Sequence, residues 1–403
     1  MTTLETTCCI VGGGPAGMIA GWLLARAGVD VIVLEKHADF FRDFRGDTIH
    51  PSTLELVYEL GALDEFSAVP QTRIDHLDLQ ILGERAPGPD FRDLPTHCKE
   101  VALMPQWDFL DFVARQAKRY SRFRLIMEAD CEDLATEGDR ITGVLARTPD
   151  GPLEVRADLV VGADGRHSNV RDRAGLRRID VGAPIDVLWM KLPKLPSDPS
   201  QVLGIIAVQQ FLVMLDRGTY WQCAYLIEKG GTDAVKARGL PAFRRRLAEI
   251  APFLDDRTSA LASWDDIKLL TVVVDRLERW WRAGLICIGD AAHAMSPVGG
   301  VGINLAIQDA VALANRVAEP LREHRLTDDD LAAVQARREA PARRIQRLQV
   351  AIHEHVLEQI LAGRGKFRLW LVRFALRHAS WLRRKIANTV GVGQLEHVQP
   401  APA

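Results

Sequence analysis

At 403 residues the chain is longer than one ordinary hydrophobic core supports, so two or three subdomains are expected. Its 47% hydrophobic and 26% charged residues exclude a disordered or fibrous chain, and a formal net charge of −2 gives no footing for nucleic acid as a principal partner. No apolar run reaches transmembrane length, and the polar start Met1-Thr2-Thr3-Leu4-Glu5 lacks a signal-peptide core. The six cysteines (Cys8, Cys9, Cys98, Cys131, Cys223 and Cys287) show neither a CxxC pair nor metal-ligand spacing, so no metal is expected and the cytoplasm is the natural compartment.

Residues 6–35 form a predicted strand–turn–helix–strand unit. The apolar run Cys8-Cys9-Ile10-Val11 leads into Gly12-Gly13-Gly14, a helix runs from Pro15 to Ala27 and stops at Gly28, and Val31–Leu34 is the second strand. Gly12, Gly14 and Gly17 meet three needs: a tight turn, close approach of backbone to a pyrophosphate, and close packing of helix on strand. Phosphates would meet the positive end of the helix at Pro15 and Ala16. Glu35, 18 residues past Gly17 and followed by Lys36, is placed for the ribose hydroxyls of an adenosine. A carboxylate there repels a 2′-phosphate, which suits FAD or NAD and not NADP.

The loop Arg45-Gly46-Asp47-Thr48 follows, and its arginine has the forked geometry that neutralises pyrophosphate. A helix opens at Pro51 and ends at Gly61; Ile74 to Leu82 alternates as a strand, and a proline-rich loop runs through Pro95. A helix from Gln106 to Tyr120 precedes strand-like segments near 123–127, 130–136, 140–147 and 153–156. Leu159-Val160-Val161 then enters a second glycine cluster, Gly162-Ala163-Asp164-Gly165. Short strands fill 183–227 around a loop at Pro193 to Pro199, helical patterns cover 231–250, and Lys268 to Val274 returns to strand.

The third cluster, Gly289-Asp290-Ala291-Ala292-His293, follows Leu285-Ile286-Cys287-Ile288 and leads into Pro297-Val298-Gly299-Gly300-Val301-Gly302-Ile303-Asn304. The remainder is helical, about 303–320 and 327–388, interrupted near Pro341 and Gly363–Gly365. Each cluster ends a buried strand, where a parallel sheet offers its ligand crevice. Three in one chain imply an extended dinucleotide such as FAD lying across several strand ends. Asp290 can accept a ribitol hydroxyl, the Gly299-Gly300 run lets flat backbone approach a ring system, and the helix after it favours the negative charge of a reduced flavin. The expected fold is α/β: a discontinuous dinucleotide domain (1–70, 99–178 and 276–322), a β-sheet substrate domain inserted in it (71–98 and 179–275), and a C-terminal helical region (323–403).

These motifs resemble the class A flavin-dependent monooxygenases, the family of p-hydroxybenzoate hydroxylase and the ubiquinone-pathway hydroxylases. The resemblance rests on Gly12 to Gly17 with Glu35, Arg45-Gly46, Asp164-Gly165 within GADGRHSNVR, and GDAAHAMSPVGGVGINLAIQDA from Gly289 to Ala310. It implies a Rossmann-like FAD-binding domain of the glutathione-reductase type with non-covalent FAD. Arg45 and Gln106 would then contact the pyrophosphate and ribityl region, Asp290 a ribityl hydroxyl, and Asp164 both FAD and the passage of the nicotinamide. Pro297, Gly299 and Gly300 would line the flavin ring where oxygen reacts, Gly302 and Ile303 complete the cofactor set, and Asn304 lies near the pyrimidine edge. The implied reaction draws on NADH or NADPH and O2 and hydroxylates an aromatic, phenolic or similarly electron-rich small molecule through a C4a-hydroperoxide. The C-terminal third matches less well, and the chain stops before the thioredoxin-like domain of phenol hydroxylase relatives.

Leu188, Trp189, Met190, Phe211 and Trp221 offer an apolar substrate wall or simply core, and His50, His97, Tyr220 and Tyr225 are the candidate bases; His293 belongs to the flavin motif as a structural residue. From Gln359 through Leu395 no residue is acidic, while arginines and lysines alternate with Phe367, Trp370, Phe374 and Trp381 at helical spacing. Such a helix suits an anionic membrane surface and a lipid-like substrate, or a docked helix or dimer contact with a solvated basic face; monomer and homodimer both remain open. Rival readings are a reductase of the geranylgeranyl type, a non-catalytic FAD-binding redox or partner-binding protein, and a halogenase, whose WxWxIP signature is missing from Tyr220 to Ile227.

Overall fold

The computed structural model describes residues 2–41, 48–199, 202–361, 363 and 366–400. Its largest sheet has eight strands built around a parallel core. The strands Leu285–Cys287, Gly151–Gly162, Thr2–Val11, Val31–Leu34 and Phe123–Ile126 lie side by side and parallel. Both faces are covered toward the crevice, which is why Cys8–Val11, Val31–Leu34, Leu159–Val161 and Leu285–Cys287 read as unbroken apolar runs. Cys8 and Ile10 pack under the glycine-turn helix Pro15–Arg26, whereas Cys9 and Val11 pack on the other side with Val160 and Cys287. Burial pushes the thiols of Cys8, Cys9 and Cys287 well up, so they act as small hydrophobes.

A second sheet of seven strands is mostly antiparallel, in the order Lys268–Leu270, Ile185–Pro193, Tyr220–Glu228, Gln210–Asp216, Val202–Ala207, His76–Ile81 and Glu84–Asp90. Its last strand lies where a proline-rich loop was expected. Pro87 and Pro89 are tolerated because that strand is an edge and need not donate along its outer side. One face of this sheet packs against Phe243 and Leu247 of the helix Leu240–Ile250; the inner face packs against the C-terminal helices.

The predicted break at Pro341 is absent: the helix Asp328–Ile352 continues through it, and Pro341 shares the buried face of that helix with Arg338 and Ile345. Tertiary packing outweighs the missing backbone donor. This helix passes into a π turn at His353–Leu357, and the chain continues through the helices Lys366–His378 and Ser380–Gly391. No helix among the described residues is long and apolar enough to cross a membrane.

Candidate active site

Register brings the three glycine clusters together. Val11 is paired with Gly162, and Gly162 with Cys287, so Gly12, Ala163 and Ile288 leave their strands at one level. Two hydrogen bonds extend this rung beyond the sheet: Ala163 N donates to Val11 O (2.8 Å) and Ile288 N to Gly162 O (2.9 Å). The crevice at the carboxyl ends of parallel strands is thus formed by residues far apart in sequence.

The geometry fits a dinucleotide. Gly12 has φ +109°, and a Cβ there would stand 2.6 Å from the Ala163 carbonyl carbon and 2.8 Å from Asp164 Cα. Gly17 packs on the Gly12 carbonyl, while nothing lies within 4 Å of where a Gly14 Cβ would point, leaving its backbone open at the helix N-terminus beside Pro15 and Ala16. Glu35 is buried, and its carboxylate accepts from Gly13 N (2.9 Å) and His37 N (3.0 Å), which fixes it at the end of its strand. Lys36 is exposed just beyond it, and Gln106 is half-buried at the first turn of the helix Gln106–Ala117. Arg45 and Gly46 lie outside the described residues.

On the second cluster, Gly165 takes φ +87°. Asp164 accepts from Ser168 Oγ (2.5 Å) and Val170 N (3.1 Å); burial pushes its carboxyl above the usual range and these bonds offset part of the rise. Asp290 remains partly open and faces Arg166, 3.5 Å away. Gly289 takes φ +59°, and a Cβ there would meet Ala16 and Ala306 at 3.2 and 3.0 Å. The ring-side loop follows: Gly299 and Gly300 take φ +83° and +61°, Pro297 is half-buried, and the helix Gly302–Arg322 begins with Gly302 and Ile303. A side chain at Gly300 would run into the Thr48 hydroxyl.

Asn304 is tied to the protein through both ends of its amide. Its Oδ1 accepts from His50 N (2.9 Å) and Thr53 Oγ1 (2.8 Å), and its Nδ2 donates to Thr48 O (3.1 Å) and Gly300 O (3.2 Å). It clamps the segment before the helix Pro51–Glu59 to the ring-side loop. His50 is buried at that junction, and burial lowers its pKa to about 4, so the imidazole is neutral at neutral pH. Its Nδ1 donates to Val390 O (2.7 Å), which leaves Nε2 with a lone pair beside Gly300.

Three substrate-site expectations need correction. Trp221 and Tyr225 lie on the outer face of the seven-stranded sheet: Trp221 Nε1 donates to Asp198 (2.8 Å), and Tyr225 packs on Phe243. Alternation along the strand Tyr220–Glu228 puts every second residue there, away from the ring-side loop. His97 stacks on Tyr58 at the surface, with ring centroids 3.7 Å apart, far from any buried proton-transfer role. Tyr220 sits at the strand's end under Lys191 Nζ, 5.6 Å away. Trp189 is on the inner face.

Two buried polar groups behind the loop carry weight that the sequence did not assign. Asp309 accepts from Gly289 N (3.1 Å), His293 Nε2 (2.6 Å) and Arg338 Nε (2.9 Å), and Arg338 Nη1 reaches Glu396 (3.1 Å). Burial pushes the Asp309 carboxyl up, but His293 and Arg338 outweigh it and hold the pKa below the usual value. The Ser296 hydroxyl lies 2.9 Å from His353 Nε2 on the π turn, and Gln349 Nε2 donates to Ser296 O and Val298 O. The ring-side loop is therefore held from behind by fixed side chains, as a preorganised site requires.

Residues 5–348 match the family described as FAD binding domain. The chain is 34% identical over 349 residues to the 6-methylpretetramide 4-monooxygenase of Streptomyces rimosus, covering 86% of this chain and 83% of that protein. It is 30% identical over 336 residues to the 2-heptyl-3-hydroxy-4(1H)-quinolone synthase of Mycobacteroides abscessus, covering 77% and 81%. In fold it is similar to the p-nitrophenol 4-monooxygenase PnpA of Pseudomonas putida, with a TM-score of 0.76 at 21% identity over 98% of this chain and 100% of that one. The crevice, the ring-side loop and these likenesses agree: the chain belongs to the FAD-binding-domain family and is an FAD-dependent monooxygenase of the aromatic-hydroxylase type.

Proposed function

We propose that this monooxygenase takes electrons from NADH or NADPH and one oxygen atom from O2 to hydroxylate a small aromatic or similarly electron-rich compound in the cytoplasm. FAD, bound in the crevice, supplies the redox and oxygen-transfer chemistry. Gly12, Gly14 and the helix start at Pro15 hold its pyrophosphate, Glu35 its adenosine ribose, and Asp290 its ribityl chain. Pro297, Gly299 and Gly300 face its ring, and Asp164 lies beside the route of the nicotinamide.

The observation that carries the substrate reading is one apolar junction. Val298 of the ring-side loop packs into the same cluster as Val187, Ala224 and Leu226 of the inner sheet face. Trp189 joins that cluster to a second one containing Leu103, Leu215 and Ala387. An aromatic substrate held there is shielded from water, which oxygen transfer needs. His50 Nε2, unprotonated at neutral pH and beside Gly300, is a hydrogen-bond acceptor for a phenolic hydroxyl held against the loop.

Titrating the FAD-loaded enzyme with phenolic compounds and following the flavin spectrum tests this. Trp189→Ala is expected to weaken the tightest ligand about tenfold or more, whereas Tyr225→Phe, on the outer face, leaves its affinity unchanged. Equal effects from both variants would place the substrate elsewhere.

A further inference from the structure

The helix Lys366–His378 is apolar on two opposite faces. With 100° between successive residues, Leu369 and Leu376 point one way and are buried against the inner sheet face, together with Val372. Phe367, Trp370, Leu371 and Phe374 point the other way and are exposed, Phe367 to 70%. Their rings form a continuous surface stack, with centroids 6.1 Å apart between Phe367 and Trp370 and 5.6 Å between Trp370 and Phe374. Trp381, 66% exposed, opens the next helix. Five of the eleven exposed large hydrophobics among the described residues thus fall within fifteen positions, a concentration that scattered surface apolar residues do not show.

Cations border this stripe. By helical position Lys366 and Arg377 flank it on one side and Arg368 on the other, while Arg384 and Lys385 follow Trp381. Arg377 and Arg384 also approach Glu84 and Asp93 at 4.0 and 3.0 Å, yet both remain largely exposed. No residue between 366 and 395 is acidic. An apolar aromatic face edged by long basic side chains is the arrangement of a helix lying in the plane of an anionic bilayer, with rings in the acyl boundary and guanidinium groups at the phosphates.

We propose that the helix pair 366–391 docks on an anionic lipid surface through Phe367, Trp370, Leu371, Phe374 and Trp381. The same pair forms part of the cover of the catalytic crevice. Val390 O accepts from His50, Ala387 packs with Leu103 and Leu215, and Gly391 sits so close to Phe91 and Leu94 that a Cβ there would be 3.1 Å from each. Where the substrate site is the one proposed above, docking presents that cover to the lipid and gives an apolar substrate a route that avoids water.

Cosedimentation of the FAD-loaded full chain with vesicles tests the docking independently of turnover. Binding to vesicles of equal phosphatidylglycerol and phosphatidylcholine is expected to exceed binding to pure phosphatidylcholine about tenfold or more and to weaken in high salt. The triple variant Phe367→Ser, Trp370→Ser, Phe374→Ser changes only exposed positions and should keep its FAD while losing vesicle binding; Lys366→Gln with Lys385→Gln should reduce it. Equal binding to both vesicle types, no binding by wild type, or full binding by the triple variant overturns the proposal. So does a wild-type dimer that the triple variant converts to monomer without any vesicle binding, since the stripe is then a contact between copies.

Discussion

Gly12→Ala is expected to yield a protein that purifies almost without flavin, its FAD dissociation constant raised about 100-fold or more. Two independent effects converge at this position. The backbone sits at φ +109°, where an L side chain is strained, and the added Cβ meets the Ala163 carbonyl and Asp164 Cα. Both obstacles are backbone, so no rotamer change relieves them. The strand ends must separate at Val11 and Gly162, the last rung before the crevice. Gly14→Ala is the informative control. Gly14 has φ −75°, and its Cβ direction is open, so alanine there fits the apoprotein. It should leave the apoprotein melting temperature unchanged yet weaken FAD by crowding the pyrophosphate. Flavin-to-protein absorbance after purification and apoprotein melting curves check both. A Gly12→Ala protein carrying full FAD contradicts the assignment of this turn.

Arg338→Met is expected to cost the fold about 3–5 kcal/mol, because it strips the cation from two buried carboxylates at once. Asp309 and Glu396 both accept from this guanidinium, and Arg338 and Asp309 are fully buried. Methionine roughly preserves the volume, so the loss reflects charge rather than a cavity. The pH dependence follows from the depressed pKa of Asp309. Stability from its ionised form is fully present above the unfolded value of about 3.9 and disappears as pH falls through the lower folded value. The gap between wild type and Arg338→Met should therefore be widest at neutral pH and narrow below about pH 4. Arg337 also contacts Glu396, at 2.8 Å, but is half exposed, so Arg337→Met should cost under about 1 kcal/mol. Denaturation midpoints of wild type and of both variants at pH 7 and at about pH 3 decide it; equal losses from Arg337 and Arg338 would show that the buried network is not a principal support. Because Asp309 also accepts from Gly289 N, the Arg338 variant should release FAD more readily than wild type.

What the sequence discloses here is what the backbone demands. Gly12, Gly165, Gly289, Gly299 and Gly300 all take positive φ, and such positions must be glycine-rich whatever surrounds them, so the crevice shows directly in the residue string. The run Cys8 to Val11 is likewise legible because parallel strands buried on both faces leave no room for polar residues. Strand alternation is less informative. It separates Trp189 from Leu188, and Tyr220 from Trp221, but it does not say which face meets a helix and which meets the ring-side loop. Trp221 and Tyr225 lie on the outer face for a reason that alternation does not carry. The expected loop at Pro87 and Pro89 became an edge strand because strand order is a property of the assembled sheet. The contacts of Arg338 with Asp309 and Glu396, and of His50 with Val390, span 29 to 340 positions, and only the packed chain brings them together.

A self-sufficient flavin monooxygenase draws its electrons from a nicotinamide, and anaerobic mixing of the FAD-loaded protein with NADH and with NADPH, in the presence and absence of a panel of phenolic compounds, is the decisive measurement. Bleaching of the visible flavin band by one nucleotide, accelerated by one compound that is then recovered hydroxylated when O2 is admitted, is the predicted result. A flavin that neither nucleotide reduces under any of these conditions, although bound in full amount, would contradict the account and assign its electrons to another source.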